Sequence, residues 1–333
     1  MNRVFVTGAN GFVGSNLCRW FLARDWQVDA LVRTSSDLHF LEGLDVRLVR
    51  GDLRRADLID LPSGTTHVVH AAALVSDTAG DDECSRNIFD ATLGLVRRLR
   101  SAGAPLRRFV YISTALTLGQ DGRDISEERP GRSALFVPYV RHKVRAENEL
   151  RDWQASRGFP AVILRPGDVF GPNDRITCAR LLRGCEKGMP LVAGRGQWRF
   201  GYCYVDNLCR AVELALTVPG IEGRAYTVTN RVLPNWGDFF HALQAGMGKK
   251  QRLYVPVFAA RLLSGALRAA AAVFPGLKAG LNPYRIRRVT TETTYDISRT
   301  IADLGYAPDD DLEKQFAAII AWYRKEKACG WLV

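Results

Sequence analysis

Within its first fourteen residues the chain commits to one supersecondary arrangement. Arg3 to Thr7 is a short strand pattern, and it passes directly into Gly8-Ala9-Asn10-Gly11-Phe12-Val13-Gly14 and then a helical pattern. Strand, glycine-rich turn and helix in that order leave few options: Gly8 turns the chain, Gly11 lets backbone approach a ligand, and Gly14 lets the helix pack tightly. The amides that open such a helix attract anions, so the arrangement implies a pyrophosphate site. Three glycines at this spacing say little alone, and the flanking elements give them their meaning.

The rest of the first half repeats the rhythm. Short β-branched runs at Gln27 to Val32, Val46 to Arg50, His67 to His70 and Phe109 to Ser113 alternate with helical stretches, one of them ending near Ala102. A helix over 137–157 and a strand at Ala161 to Leu164 continue it. Such alternation specifies an α/β protein with a doubly wound parallel sheet, whose ligands bind at the carboxyl ends of the strands. After Arg165-Pro166-Gly167 the rhythm gives way to loops and short helices, with a return to the sheet around Val205 to Leu216 and Ala225 to Val228. The expected division is a dinucleotide-binding part over 1–167, with 202–228 returning to it, and a smaller, mostly helical, discontinuous substrate-binding part over 168–333.

Charge is uneven. Of a net +11, residues 245–300 hold ten basic side chains against Glu292 and Asp296. That stretch lacks interleaved aromatics, so a nucleic-acid partner is not expected. Residues 253–274 are apolar but broken by Arg261, Ser264 and Arg268, too interrupted for a span of about 20 apolar residues. A basic-edged apolar helix there suits a lid or peripheral contact with a membrane surface through 256–288. Seven cysteines without a C-x-x-C pair suggest reduced, buried thiols, and the start of the chain shows no secretory pattern, so a cytoplasmic protein is expected. Five scattered histidines give no metal-ligand set.

Two groups of residues suggest chemistry. Where an acid would bind ribose hydroxyls after the second strand stands Arg33-Thr34-Ser35-Ser36, which suits a 2′-phosphate and hence NADP(H), with NAD(H) left open. Asp52 in Gly51-Asp52-Leu53 can accept from an adenine amino group or close a turn. Tyr139 and Lys143 fall at i and i+4 on one helix face, and an ammonium near a phenol favours its ionised form, making Tyr139 a usable acid. Ser113-Thr114 at a strand end offers a hydroxyl to the same substrate oxygen.

Together TGANGFVG (7–14), GDL (51–53), HAAA (70–73), NIFDAT (87–92), ISTALTLG (112–119), Tyr139-Val-Arg-His-Lys143, LRPGDVFGP (164–172) and YVDNL (204–208) resemble the extended short-chain dehydrogenase/reductase family. The resemblance covers nearly the whole chain and implies a Rossmann fold. It implies Tyr139 as acid/base, Lys143 as its pKa-lowering partner and nicotinamide-ribose ligand, and Thr114 as the catalytic hydroxyl with Ser113 in reserve. Ala72 and Ala73 would line the cofactor, Asn87 would support the active-site hydrogen bonds, and Pro166 with Gly167 would contact the nicotinamide. The chain looks most like the branch of 3β-hydroxysteroid dehydrogenases and dihydroflavonol reductases, through YVDNL and the tail Thr294-Tyr-Asp-Ile-Ser-Arg then Leu304-Gly-Tyr-Ala-Pro. Sugar-nucleotide members carry a diphosphate-binding arginine six residues before the Asp of the YVDD-like motif. Here that place holds Phe200, with Arg199 one position off.

The expected activity is therefore NADP(H)-dependent interconversion of a ketone and a secondary alcohol on a lipophilic substrate, with a homodimer left open. The alternative is a sugar-nucleotide epimerase or dehydratase holding NAD tightly. Other residues read more plainly: His70 as structural, Glu127-Glu128 as part of a solvated turn, Cys178 and Cys185 as packing groups, and Trp198 and Trp236 as pocket or core.

Overall fold

The computed structural model describes residues 2–332 apart from Asp77, 189–191, 250–253, 261, 263, 264 and 267–282. Its strands are β1 (Arg3–Thr7), β2 (Gln27–Val32), β3 (Arg47–Arg50), β4 (His67–His70), β5 (Arg108–Ile112), β6 (Gly122–Ile125), β7 (Ala161–Pro166), β8 (Asp168–Phe170), β9 (Val192–Ala193), β10 (Tyr202–Tyr204), β11 (Ala225–Val228), β12 (Tyr254–Val255) and β13 (Thr293–Tyr295). The principal helices are α1 (Phe12–Leu22), α2 (Asp81–Cys84), α3 (Asp90–Ser101), α4 (Pro138–Arg157), α5 (Cys178–Glu186), α6 (Val205–Thr217) and α7 (Trp236–Gly246).

Seven strands form one parallel sheet in the order β11-β7-β5-β4-β1-β2-β3. Its central strands are buried along their whole length, which is why they read as nearly unbroken apolar runs. Val4, Val6, Leu17, Phe21, Leu208 and Val212 fill one face with α1 and α6. Phe5, Val68, Leu95, Leu99, Phe109 and Leu150 fill the other with α3 and α4. The order of the strands reverses at β1, where Thr7 lies beside Leu31 of β2 on one side and His70 of β4 on the other. That reversal opens the crevice in which doubly wound folds bind ligands.

A third, aromatic core lies in the C-terminal half. Phe170, Phe200, Tyr202, Trp236, Phe239 and Phe316 build it, with Phe200 stacked on Trp236 at 3.8 Å between centroids. Two short parallel pairs, β10 with β8 and β13 with β6, join this half to loops at the carboxyl end of the sheet.

Three expectations need adjusting, and a fourth falls largely outside the described residues. Residues 205–216 return to the sheet as the helix α6 packed on its face, and only Ala225–Val228 returns as a strand. The helix ending near Ala102 is interrupted by a π turn, Ser85–Phe89, between α2 and α3. Six cysteines are buried, but Cys329 is exposed. Most of the apolar stretch to Phe274, including Arg261, Ser264 and Arg268, lies outside the described residues. Phe258 and Leu262 within it are 75% exposed. Among the described residues no helix is long and apolar enough to cross a membrane.

Candidate active site

The glycine turn is built by close approach. Gly8 has φ +66°, and a Cβ there would stand 2.8 Å from the Ala72 Cα. A Cβ on Gly14 would stand 2.0 Å from the Gly8 carbonyl oxygen, so only glycine lets α1 start this close to β1. Gly11 caps α1 with no side-chain hydrogen bond, and the first turn, beginning Phe12-Val13, carries no acid. The opening amides of α1 are thus left to an anion, and the turn fits a dinucleotide's pyrophosphate. Asn10 closes the rim by donating to the Asp37 carbonyl at 3.1 Å.

Below the turn a hydrogen-bond ladder crosses the crevice. The Thr7 hydroxyl meets His70 Nδ1 at 2.7 Å, and His70 Nε2 meets the Thr92 hydroxyl at 3.0 Å. Thr7 also accepts from the Ala72 amide at 3.2 Å, which fixes half-buried Ala72 and Ala73 at the exit of β4. Burial, with Lys143 nearby, depresses the His70 pKa to about 3 and keeps the ring neutral. Its structural reading stands.

At the far end of β2, Arg33 is exposed and begins a turn in which its amide donates to the Ser36 hydroxyl at 3.1 Å. Asp52 closes a turn, one of the two readings the sequence offers, with its side chain 30% exposed. Its carboxylate receives the Arg54 side chain on both oxygens and the Arg54 amide, and Leu53 begins the short 3₁₀ helix that Asp52 caps. Arg54 and Arg33 together hold the Asp52 pKa down. The sequence alone left Arg54 unnoticed; its position two residues after a turn aspartate was the available signal.

The catalytic candidates meet at the carboxyl end of β5. Helix α4 starts at Pro138, stops at Gly158 in the left-handed region, and carries Tyr139 and Lys143 one turn apart. Tyr139 packs against Ala134, Val137 and Val140, and the Thr114 hydroxyl, which accepts from the Leu116 amide at 3.3 Å, lies close enough to the phenol to act on it. Ser113 instead donates to Glu147 at 2.5 Å. Lys143 is 2% exposed, donates to the Ile112 carbonyl at 2.6 Å, and lies 4.5 Å from the Tyr111 ring centre.

The electrostatics differ from expectation. Burial raises the Tyr139 pKa above its ordinary value, and the cation that opposes this is Arg288, which is ion-paired with Asp168. Burial also draws the Lys143 pKa down to about 7, with Glu147 pulling the other way.

Pro166 ends β7 beside this pair, and a Cβ on Gly167 would lie 2.0 Å from the Gly201 oxygen, so β7 can run on into β8 only with glycine there. Asn87 lies in the π turn, where its side-chain amide donates to the Glu83 carbonyl at 2.8 Å rather than to the catalytic hydroxyls. Trp236 is core, with Trp198 packed against it, and Cys178 and Cys185 are core as well. Glu127 does lie in a turn, yet it binds Arg165 at 2.6 Å and is not merely solvated. Glu147 and Arg165 were missed by sequence reasoning.

Comparison with known proteins agrees with this geometry. The model of the NAD dependent epimerase/dehydratase family matches residues 4–229. Sterol demethylase protein B of Methylococcus capsulatus is 31% identical over 335 residues, covering 96% of this chain and 98% of that protein. A 3β-hydroxysteroid dehydrogenase/Δ5→4-isomerase of Mycobacterium tuberculosis is 27% identical, covering 97% and 90%. The UDP-glucuronic acid 4-epimerase of Bacillus cereus, solved with UDP-glucuronic acid and NAD, superposes with a TM-score of 0.76 at 22% identity, covering 97% of this chain and 99% of that one; the likeness concerns the fold. With a matching family model over two thirds of its length and the glycine turn, Thr114, Tyr139 and Lys143 gathered at one crevice, the chain belongs to the NAD dependent epimerase/dehydratase family, as an enzyme of the extended short-chain dehydrogenase/reductase type acting on CH–OH or C=O groups.

Proposed function

We propose that the protein interconverts a ketone and a secondary alcohol on a lipophilic substrate and prefers NADP(H). The observation that carries this reading is the meeting of Thr114, Tyr139 and Lys143 at the carboxyl end of β5, where the buried Lys143 ammonium donates to the Ile112 carbonyl at 2.6 Å and lies 6.0 Å from the Tyr139 ring centre. The bound cofactor supplies or accepts the hydride. Thr114 orients the carbonyl oxygen, Tyr139 gives its proton to that oxygen as the alcohol forms, and the Lys143 ammonium favours the phenolate left behind. Raised by burial, the phenol keeps its proton at neutral pH until the substrate oxygen takes it.

The lipophilic assignment is supported by the names of the two relatives, both of which refer to steroids. It is supported too by position 200, where sugar-nucleotide members of the family would place a diphosphate-binding arginine. Phe200 is 1% exposed inside the aromatic core, and Arg199 is ion-paired with Glu292 at 3.2 Å. The NADP(H) preference is supported by exposed Arg33 with the Thr34 to Ser36 turn, where an acid would favour NAD.

The test is a screen of steroidal and long-chain ketones that follows loss of NADPH absorbance, with Tyr139→Phe as control. Turnover of lipophilic ketones by the wild type is expected, falling by about 10²- to 10⁴-fold in the variant. Stoichiometric NAD retained through purification, together with turnover of UDP-sugars alone, would replace this reading by the sugar-nucleotide one.

A further inference from the structure

Beneath the catalytic pair lies an ion pair that the reaction as written does not use. Glu147 is 2% exposed and stands one helical turn after Lys143, two turns after Tyr139, on α4. Its Oε1 accepts from the Ser113 hydroxyl at 2.5 Å and from Arg165 Nε at 3.1 Å, and its Oε2 accepts from Arg165 Nη2 at 2.6 Å. Arg165, 5% exposed on β7, gives its remaining nitrogen, Nη1, to Glu127 at 2.6 Å. Arg151 and Arg299 reach Glu127 at 3.2 and 3.4 Å from the surface side.

Burying such a pair seldom adds stability over apolar residues of the same volume. The location of this one is therefore informative. Lys143 has one hydrogen bond, to a neutral carbonyl, and faces the Tyr111 ring from β5, neutral His70 from β4 and Tyr139 from its own helix. The Arg165 guanidinium on β7 is committed to Glu147 and Glu127. Glu147 is the anion that acts on the ammonium.

We propose that Glu147 is a positioning residue for the catalytic step: its carboxylate, fixed by Arg165 and Ser113 one helical turn beyond Lys143, holds the Lys143 side chain in place beside Tyr139 and favours its ammonium form. The inference rests on the reading of Tyr139 and Lys143 as the acid/base machinery. Desolvation favours the neutral amine, and the opposing field of Glu147 favours the ammonium. Arg165 holds the carboxylate rigidly, because a bidentate guanidinium fixes both its distance and its plane. Ser113 is thereby assigned to the support of Glu147.

The experiment is the pH dependence of kcat/KM for ketone reduction between about pH 5.5 and 9.5, measured for wild type, Glu147→Gln, Glu147→Asp and Tyr139→Phe. In Glu147→Gln the alkaline limb should move about one pH unit toward acid, a displacement of the size an opposite charge a few ångströms away produces. That gives about a tenfold loss at pH 8.5 that shrinks steadily toward the acid end of the range. Glu147→Asp should restore most of the limb. A purely structural role would lower the profile at all pH values without moving it. Should Glu147→Gln fail to fold because Arg165 is left unpaired, Glu147→Gln with Arg165→Met removes both charges, and the same displacement is expected. An unmoved limb in a folded variant overturns the proposal. Retained turnover in Tyr139→Phe overturns the reading beneath it, which separates the two failures.

Discussion

Ser113 and Thr114 are adjacent in sequence and turn their hydroxyls to different surroundings, Thr114 to the Leu116 amide at 3.3 Å within reach of the Tyr139 phenol and Ser113 to the Glu147 carboxylate 2.5 Å away. Alternation along an extended backbone puts neighbouring side chains on opposite sides, so only one of the two can face the substrate. Thr114→Ala should lower kcat by about 10²-fold at every pH where the wild type works, a loss of the size general acid catalysis supplies. Ser113→Ala should cost less than tenfold. Steady-state kinetics of the two variants side by side would check this, and the reverse ranking would exchange their roles.

Arg33→Asp tests the cofactor reading. A carboxylate there would repel a 2′-phosphate and accept from ribose hydroxyls instead, so KM for NADPH should rise by at least about tenfold while KM for NADH falls. Equal wild-type affinities for the two dinucleotides, by titration of intrinsic fluorescence, would remove the preference.

Gly14→Ala puts a methyl group 2.0 Å from the Gly8 carbonyl oxygen, a backbone atom that cannot swing aside. The loop must open or α1 must shift. Destabilisation of about 1–3 kcal/mol is expected in denaturant melts, the usual cost of overpacking, together with loss of dinucleotide binding. Binding at wild-type affinity would mean that the turn is not the pyrophosphate cradle.

Lys143→Met should abolish turnover and stabilise the fold. The lysine titrates near 10.5 when unfolded and at about 7 when folded, so between those values the unfolded chain binds the extra proton and stability rises with pH. The buried ammonium is therefore most costly below pH 7, at roughly 1.4 kcal/mol for each pH unit that separates the two titrations. The variant's advantage in chemical denaturation should be greatest near pH 6.5 and shrink steadily toward pH 10.5. An advantage that does not depend on pH would show that packing, rather than charge, is responsible.

Much of the frame can be read directly. The limits of Gln27–Val32, His67–His70 and Ala225–Val228 follow from β-branched runs bounded by turn residues, and the glycine turn with the Tyr139/Lys143 spacing locates the crevice. What escapes is long-range and electrostatic. Glu147 sits on a mostly polar helix, where a glutamate ordinarily faces water, and Arg165 lies 18 residues away in a strand. Only the folded sheet brings them together. The same holds for Lys143, since spacing shows that it shares a face with Tyr139 but not how little water reaches it. Asp52 has a local partner, Arg54, that its place in the sequence did not bring out.

The π turn at Ser85–Phe89 gives the crevice two independently adjustable sides. After it, α3 is tied to the sheet through Thr92, which bonds both His70 and the Ile88 carbonyl. Before it, α2 carries Cys84, whose thiol lies close enough to act on the Tyr139 phenol. A π turn holds one residue more than the α-helical path it replaces, so it offsets the rotation of α2 from that of α3. Changes in α2 are therefore felt beside Tyr139, while Thr92 holds α3 to the sheet through His70.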